Sequence, residues 1–304
     1  MLGDKSPVLL LFFNRDDTVF KVLNRIRFYK PEQLFLGCDG PRKHKEGEIE
    51  VVEKLRKRVL SAIDWPCTVK THFNETNKGC GVAVSESITW FFENVDSGII
   101  LEDDCLPLDG FFEFCEEMLR YFKDDNEVFQ IAGTNLQGGI KRGLYSYYFS
   151  KFTECWGWAT WARAWHKYSY EMAGLKEFKR EKKIKDSFTT KDQQTYWIKT
   201  FERTVELDTW DYQWLYTMLV NQGVCIVPNK NLIQNIGFSG SGTHTLNAPF
   251  WYQKLSSGDI TIFPIKHPDT ITIDHEADNF RYYKTFHISF FKKVVRYVKG
   301  KFIK

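Results

Sequence analysis

The sequence predicts an α/β fold, with a mixed, mainly parallel sheet flanked by helices. Three observations lead there. Apolar runs of strand length occur early, at Ser6 to Phe13 and Gln33 to Cys38, and a third strand is expected around Cys67 to Phe73. Segments with helical spacing separate them, so strands and helices alternate. Finally, the run Ile99 to Leu101 opens directly onto three consecutive carboxylates, Glu102, Asp103 and Asp104. In parallel sheets ligands sit beyond the carboxyl ends of the strands, where these acids fall.

In chain order, the first run is continuous in Val8, Leu9, Leu10, Leu11 and Phe12, as in a strand buried on both faces. It ends at Asn14-Arg15, and Asp16 or Asp17 is placed to cap a helix whose stripe is Val19, Phe20, Val22, Leu23 and Ile26. The second strand closes on the turn Asp39-Gly-Pro-Arg42. A charged helix from about Gly47 to Ile63 leads to the third strand. The segment from Asn74 then carries Asn77, Lys78, Gly79 and Gly81 before another helix, whose N–H groups suit an anion. A plain loop-to-helix entry explains these glycines equally well, and the Gly-Lys-Ser/Thr ending of a phosphate loop is missing. Pro107 stops the acid-bearing strand, and a helix opens at Phe111-Phe112.

Three adjacent carboxylates repel one another by several kcal/mol, at roughly 4 kcal/mol per close pair near a protein surface. A cation is therefore expected beside them. Oxygen ligands at a strand end suit Mg²⁺ or Mn²⁺, which need only one or two protein carboxylates plus substrate phosphates. An acidic surface turn is the plainer alternative.

Taken together, Asn14-Arg15, Asp39, Asn77-Lys78-Gly79 and Ile100-Leu-Glu-Asp-Asp-Cys-Leu-Pro-Leu-Asp-Gly-Phe-Phe112 resemble a nucleotide-sugar glycosyltransferase of the GT-A (Rossmann-like) type. The likeness runs over residues 6–246 and is to the N-acetylglucosaminyltransferase I group and bacterial family 2-like relatives. It implies that Arg15 and Asp39 hold the uridine, beside the Asn77-Lys78-Gly79 loop. By the same likeness Asp103 lies near ribose or phosphate, Asp104 ligates the metal and Glu102 faces the donor sugar.

Further on, Glu154-Cys-Trp-Gly-Trp-Ala-Thr-Trp-Ala-Arg-Ala-Trp165 gathers Trp156, Trp158, Trp161 and Trp165. Trp156, beside Gly157, is placed to stack on a sugar, and Glu154 to bond a sugar hydroxyl. The segment is similar to the Trp-Gly-Trp-Gly of galactosyltransferases, with Ala159 in place of the second Gly. Read otherwise, Trp158, Trp161 and Trp165 form a helical core stripe. After the charged, helical stretch from Lys176 to Lys191, Asp208 or Thr209 is placed to cap a helix ending near Gly223. Trp210-Asp-Tyr-Gln-Trp214 is similar to the Trp-Asp-x-Trp of N-acetylglucosaminyltransferase I. That likeness makes Asp211 the general base and places Trp210 at the nucleotide-sugar site. The Gly-Ser loop Asn235 to Thr245 resembles one that closes over the donor, with His244 at the diphosphate or the metal.

The tail differs in kind. Its last 26 residues hold eight Lys or Arg and no acid, leaving 34 basic against 39 acidic residues before them. Phe291, Val294, Val295, Val298 and Phe302 recur at helical spacing between the bases, as in a helix lying on an anionic membrane. RNA contact and packing on the acidic body are the competing readings; no RNA-binding motif accompanies the stripe. Seven scattered cysteines without C-x-x-C spacing, no secretory leader and no membrane-spanning run point to the cytoplasm, with peripheral attachment to the inner face of the membrane.

The expected organisation is a catalytic domain over residues 1–250, with a nucleotide-binding half to about 107 and an acceptor half from 108, then a C-terminal extension over 251–304. The expected function is inverting, Mn²⁺- or Mg²⁺-dependent transfer of a sugar, N-acetylglucosamine among the candidates, from a UDP-sugar to a glycan or lipid-linked acceptor. Bacterial surface polysaccharide assembly is the expected setting. The rival readings are a non-catalytic glycan-binding protein and a sugar-nucleotide pyrophosphorylase, whose Gly-rich basic N-terminal signature is absent here.

Overall fold

A computed structural model describes residues 5–238 and 262–286. His244, most of the Gly-Ser loop and the basic stripe beyond residue 286 lie outside the described residues. The first half runs β1 (Val8–Phe12), α1 (Asp16–Tyr29), β2 (Gln33–Cys38), α2 (Glu48–Ser61), β3 (Thr68–Phe73), α3 (Cys80–Phe92) and β4 (Ser97–Glu102). Then come β5 (Cys105–Pro107), α4 (Phe111–Tyr121), β6 (Val128–Ala132), β7 (Tyr147–Ser150), β8 (Trp158–Trp161) and α5 (Ala162–Trp165). The remainder is α6 (Leu175–Arg180), α7 (Ile184–Ser187), α8 (Lys191–Thr204), α9 (Asp211–Val220), β9 (Val224–Pro228), β10 (Ile233–Asn235) and α10 (His275–Arg281), which runs into a π-helical turn, Tyr282–Phe286.

Eight strands form one sheet in the order β3-β2-β1-β4-β8-β6-β9-β7. β1 pairs in parallel with both β2 and β4, and β2 with β3. β8 and β7 run antiparallel to their neighbours, while β6 and β9 pair in parallel. The chain therefore winds outward from β1 to β3 and returns to lay β4 on the other side of β1. That reversal opens a crevice at the carboxyl ends of β1 and β4. The mixed, mainly parallel α/β sheet expected from the sequence is present.

The continuous apolar run of β1 has a physical reason. Val8, Leu10 and Phe12 face one core, with α1, α2 and α4, while Leu9 and Leu11 face a second, with α3, α5 and α9. Successive side chains point to opposite faces, so a strand covered on both faces needs apolar residues throughout. A third cluster gathers Phe152, Phe178, Trp197, Phe201, Tyr216 and Tyr282 around α8 and α9.

Several local expectations are corrected. Asp16 and Asp17 sit in the first turn of α1, which begins after Arg15 without a side-chain cap. Trp158 and Trp161 lie in strand β8, not in a helix, and of the three only Trp165 is helical; the core role read for these rings survives, because all three are buried. The acid-bearing strand, expected to run on to Pro107, is broken at Asp103-Asp104, so that β4 ends at Glu102. It turns there and continues as β5, which pairs antiparallel with β10. Residues 262–286, assigned above to the extension, join the main body: Ser146 Oγ donates to the Ile262 carbonyl at 2.7 Å and the Asp274 N–H donates to the Phe149 carbonyl at 2.9 Å. Among the described residues no helix is long and apolar enough to cross a membrane.

Candidate functional site

β1 and β4 deliver the acids and a cation to the same crevice. Leu11 is in register with Glu102, so the chain after β1 places Arg15 against the turn after β4. Arg15 Nη1 donates to Asp104 Oδ2 at 2.6 Å and lies 3.3 Å from Asp103 Oδ1. The positive charge that three adjacent carboxylates require is thus supplied in part by Arg15. Burial opposes its charge, but Asp103 and then Asp104 outweigh that, and its pKa rises. Burial pushes the Glu102 carboxyl up to about 8, reinforced by Asp104 and Asp103, opposed by Arg15 and reinforced again by Asp211. Asp103 is pushed up to about 7, by burial first, with Arg15 opposing and Asp104 reinforcing.

The raised Glu102 and Asp103 carboxyls show that one guanidinium does not satisfy three acids, so that near neutral pH part of the cluster holds protons in place of further positive charge. A divalent cation on Asp104, its shell completed by substrate oxygens, fits that deficit. Among the described residues no three His, Cys, Asp or Glu side chains converge into a protein-only cage. The segment after β10 closes on the same acid: the Ile236 N–H donates to the Asp104 carbonyl at 2.8 Å. A Cβ on Gly237 would lie 2.3 Å from Asp104 Oδ2, so only glycine allows this approach.

The adjoining cavity holds about 520 Å³ and is lined by Phe13, Arg15, Asp39, Asn77, Gly79 and Glu102, among others. Asp39 builds its wall. The carboxylate accepts from Asn74 Nδ2 at 3.1 Å and Asn77 Nδ2 at 2.7 Å. It also takes the Lys78 N–H at 3.0 Å and the Gly79 N–H at 3.1 Å. These bonds tie the loop after β3 to the end of β2. The Lys78 ammonium itself pairs with Glu86. Glu48, buried at the start of α2, accepts from Asn14 Nδ2 at 3.0 Å and pairs with Arg42. The Arg42 bond holds the Glu48 carboxyl low, at about 2.

The α3 N-terminus already holds an anion, and it is a protein one. Asp208 accepts the Cys80 N–H at 2.9 Å and the Gly81 N–H at 2.6 Å. Sequence reading put Asp208 or Thr209 at the start of α9, but that helix follows Trp210 with no side-chain cap. Asp211 opens it. Its Oδ1 accepts from Thr209 Oγ1 and, at 3.0 Å, from the Tyr212 N–H.

The remaining expected site residues divide. Trp210 is 4% exposed and stacks on Trp158 at 5.7 Å and 20°. Its ring belongs to the core, a correction to its expected place at a ligand; burial of an indole among Trp158, Trp165 and Trp214 leaves no face for a sugar. Glu154 is buried, and both its oxygens accept from Arg281, at 2.5 and 3.1 Å. Half-buried Trp156 meets Phe238 edge-on at 5.8 Å. Glu154, Trp156 and Asp211 line a second cavity of about 180 Å³, apart from Asp39 and Asn77. Asp208 and Arg281 were missed as partners of Gly81 and Glu154. Each acts across more than a hundred residues of chain, and no local spacing marks such pairs.

No protein-family model matches the chain, and no curated protein matches it. Among solved structures, it is similar to HddC from Yersinia pseudotuberculosis, solved with GMP-PN, at 10% identity and a TM-score of 0.28 over 48% of this chain and 60% of that one. It is also similar to the 4-diphosphocytidyl-2C-methyl-D-erythritolsynthase from Anaerococcus prevotii, at 7% identity and a TM-score of 0.29 over 65% of this chain and 99% of that one.

Proposed function

We propose that the protein is an inverting, divalent-cation-dependent glycosyltransferase acting on a UDP-sugar, with a glycan or lipid-linked hydroxyl as acceptor. One observation carries the reading. Arg15, Asp39, Glu102 and Asp103 line one cavity at the sheet's reversal point, Arg15 ties Asp104 to them, and Asp211 acts electrostatically on Glu102.

In this reading Asp39 shapes the uridine wall through the Asn77–Gly79 loop, and Arg15 adds positive charge for the diphosphate. Asp104 would hold Mn²⁺ or Mg²⁺, which neutralises charge on the departing diphosphate. Glu102 faces the donor sugar. Asp211, with Oδ1 fixed by Thr209 and Tyr212, takes the acceptor proton on Oδ2 as that hydroxyl attacks the anomeric carbon. The bond to the diphosphate breaks as the new glycosidic bond forms, which inverts the anomeric centre.

The test is UDP release from a panel of UDP-sugars, N-acetylglucosamine included, with Mn²⁺ or EDTA, for wild type and Asp104→Ala. Turnover of one donor, abolished by EDTA and by the substitution, supports the reading. Pyrophosphate release from a nucleoside triphosphate and a sugar 1-phosphate would replace it with the pyrophosphorylase. Failure of both, with no metal-dependent nucleotide binding in a calorimeter, would leave a glycan-binding protein.

A further inference from the structure

The second cavity is built from elements far apart in the chain. Glu154 and Cys155 come from the segment before β8, Asp211 and Tyr212 from α9, and Arg281 and Phe286 from the end of α10 and the turn after it. Arg281 and Glu154 are each 8% exposed and form a two-bond pair in the wall. Nη1 of Arg281 has no hydrogen-bond partner among the described residues. Leaving a buried donor unmade is unfavourable, the more so for a charged group. Something entering this cavity that accepts a hydrogen bond would remove that penalty.

Charge selects the kind of acceptor atom. Arg281 and Glu154 neutralise each other, and Asp211 adds a negative charge to the lining. An entering carboxylate or phosphate would be repelled by Asp211 at close range. A hydroxyl oxygen meets no such repulsion. The volume is below the ~300–1,000 Å³ of clefts for drug-sized ligands, which suits a single ring. Trp156 and Tyr212 supply apolar surface, against which the C–H side of a sugar packs, while the Phe286 ring lies under the Arg281 guanidinium at 4.6 Å and holds it in the wall.

We propose that this cavity is a subsite for one uncharged pyranoside ring, with Arg281 Nη1 donating to a ring hydroxyl and Trp156 and Tyr212 flanking its C–H face. That the ring belongs to the acceptor rests on the glycosyltransferase reading, with Asp211 at the cavity's edge; that it is a neutral sugar does not. Glu154 then acts as a positioning residue for Arg281, and a residue beyond the expected catalytic domain completes the site.

The experiment uses the full chain. Saturation-transfer NMR would measure binding of methyl pyranosides of gluco, galacto, manno and N-acetylgluco configuration, against glucuronate and inorganic phosphate, for wild type and Arg281→Gln. UDP affinity by calorimetry is measured alongside. The expected result is binding of a neutral glycoside, weakened at least tenfold by the substitution, with UDP affinity within twofold. If Arg281→Gln fails to melt cooperatively, Trp156→Ala and Tyr212→Leu give the same readout. Tighter binding of glucuronate or phosphate, no binding by any neutral glycoside, or binding indifferent to all three substitutions would overturn the proposal. Absence of UDP binding with glycoside binding intact would remove the donor reading and leave the subsite standing.

Discussion

The Asp208 carboxylate caps a helix that begins 128 residues earlier, taking the Cys80 N–H at 2.9 Å, and the Gly81 N–H at 2.6 Å beside it. Gly79 permits this: its φ is +85°, and a Cβ there would lie 2.8 Å from both oxygens of Asp208. Asp208→Ala is expected to destabilise the fold by about 1–2 kcal/mol, as for loss of a good helix cap. Asp208→Asn should retain only part of that, because its amide nitrogen cannot accept the second N–H, and Gly79→Ala should cost at least as much as Asp208→Ala. Urea midpoints at constant m-value decide it.

Arg15 occupies the place where a cation bound by Asp104 would also draw charge. Removing it by Arg15→Met should raise Mn²⁺ affinity in the absence of nucleotide, because a competing cation has gone, and lower UDP affinity at least tenfold. It should also destabilise the metal-free protein, by less than the ~3–5 kcal/mol of a fully buried broken pair, since Arg15 is 18% exposed. Electron paramagnetic titration of Mn²⁺ and calorimetry of UDP give both numbers. Unchanged Mn²⁺ affinity would separate Arg15 from the metal.

If Asp211 removes the acceptor proton, Asp211→Asn should lower transfer by about 10²–10⁴-fold, the range of general-base catalysis. UDP affinity should stay within twofold. Loss of UDP binding in parallel with turnover would mean that Asp211 serves the donor, not the acceptor.

Trp210 tests the division between core and ligand. Trp210→Ala should destabilise by about 3–5 kcal/mol, as for other large aromatic truncations in cores. The milder Trp210→Phe should fold and bind UDP like wild type. A tenfold loss of affinity in Trp210→Phe would restore the ring to the ligand site.

Asp278 gives a pH dependence away from the acid cluster. Burial pushes its carboxyl up to about 7, although Ser150 Oγ donates to it at 2.5 Å and the Lys151 N–H at 3.1 Å. A carboxyl whose folded pKa lies above its unfolded value stabilises the fold at low pH and loses that contribution as pH rises. The window runs from about pH 4, near the unfolded value, to 7, with a slope approaching ~1.4 kcal/mol per pH unit. Asp278→Asn should flatten the stability profile across that window. An unchanged slope would place the titration elsewhere.

Much of the fold was legible because its signals are local. The unbroken apolar run of β1 reports burial on both faces, and the apolar stripe of α1 reports burial on one. The carboxyl-end positions of Arg15, Asp39 and the three acids follow from strand boundaries. The Trp-rich segment was less legible, because a strand followed by a short helix produces nearly the same indole spacing as a single helix.

By itself, then, the sequence determined the alternating α/β order, the strand ends that carry the acids, and the need for positive charge beside Glu102–Asp104. Only the tertiary structure decided which groups meet: that Arg15 answers part of that need, that Asp208 fills the helix terminus offered by Gly79 and Gly81, and that Glu154 pairs with Arg281. The reason is physical. Secondary structure follows from periodicity over neighbouring residues, whereas pairing of buried charges depends on contacts between segments 89 to 128 residues apart, for which the local sequence carries no spacing.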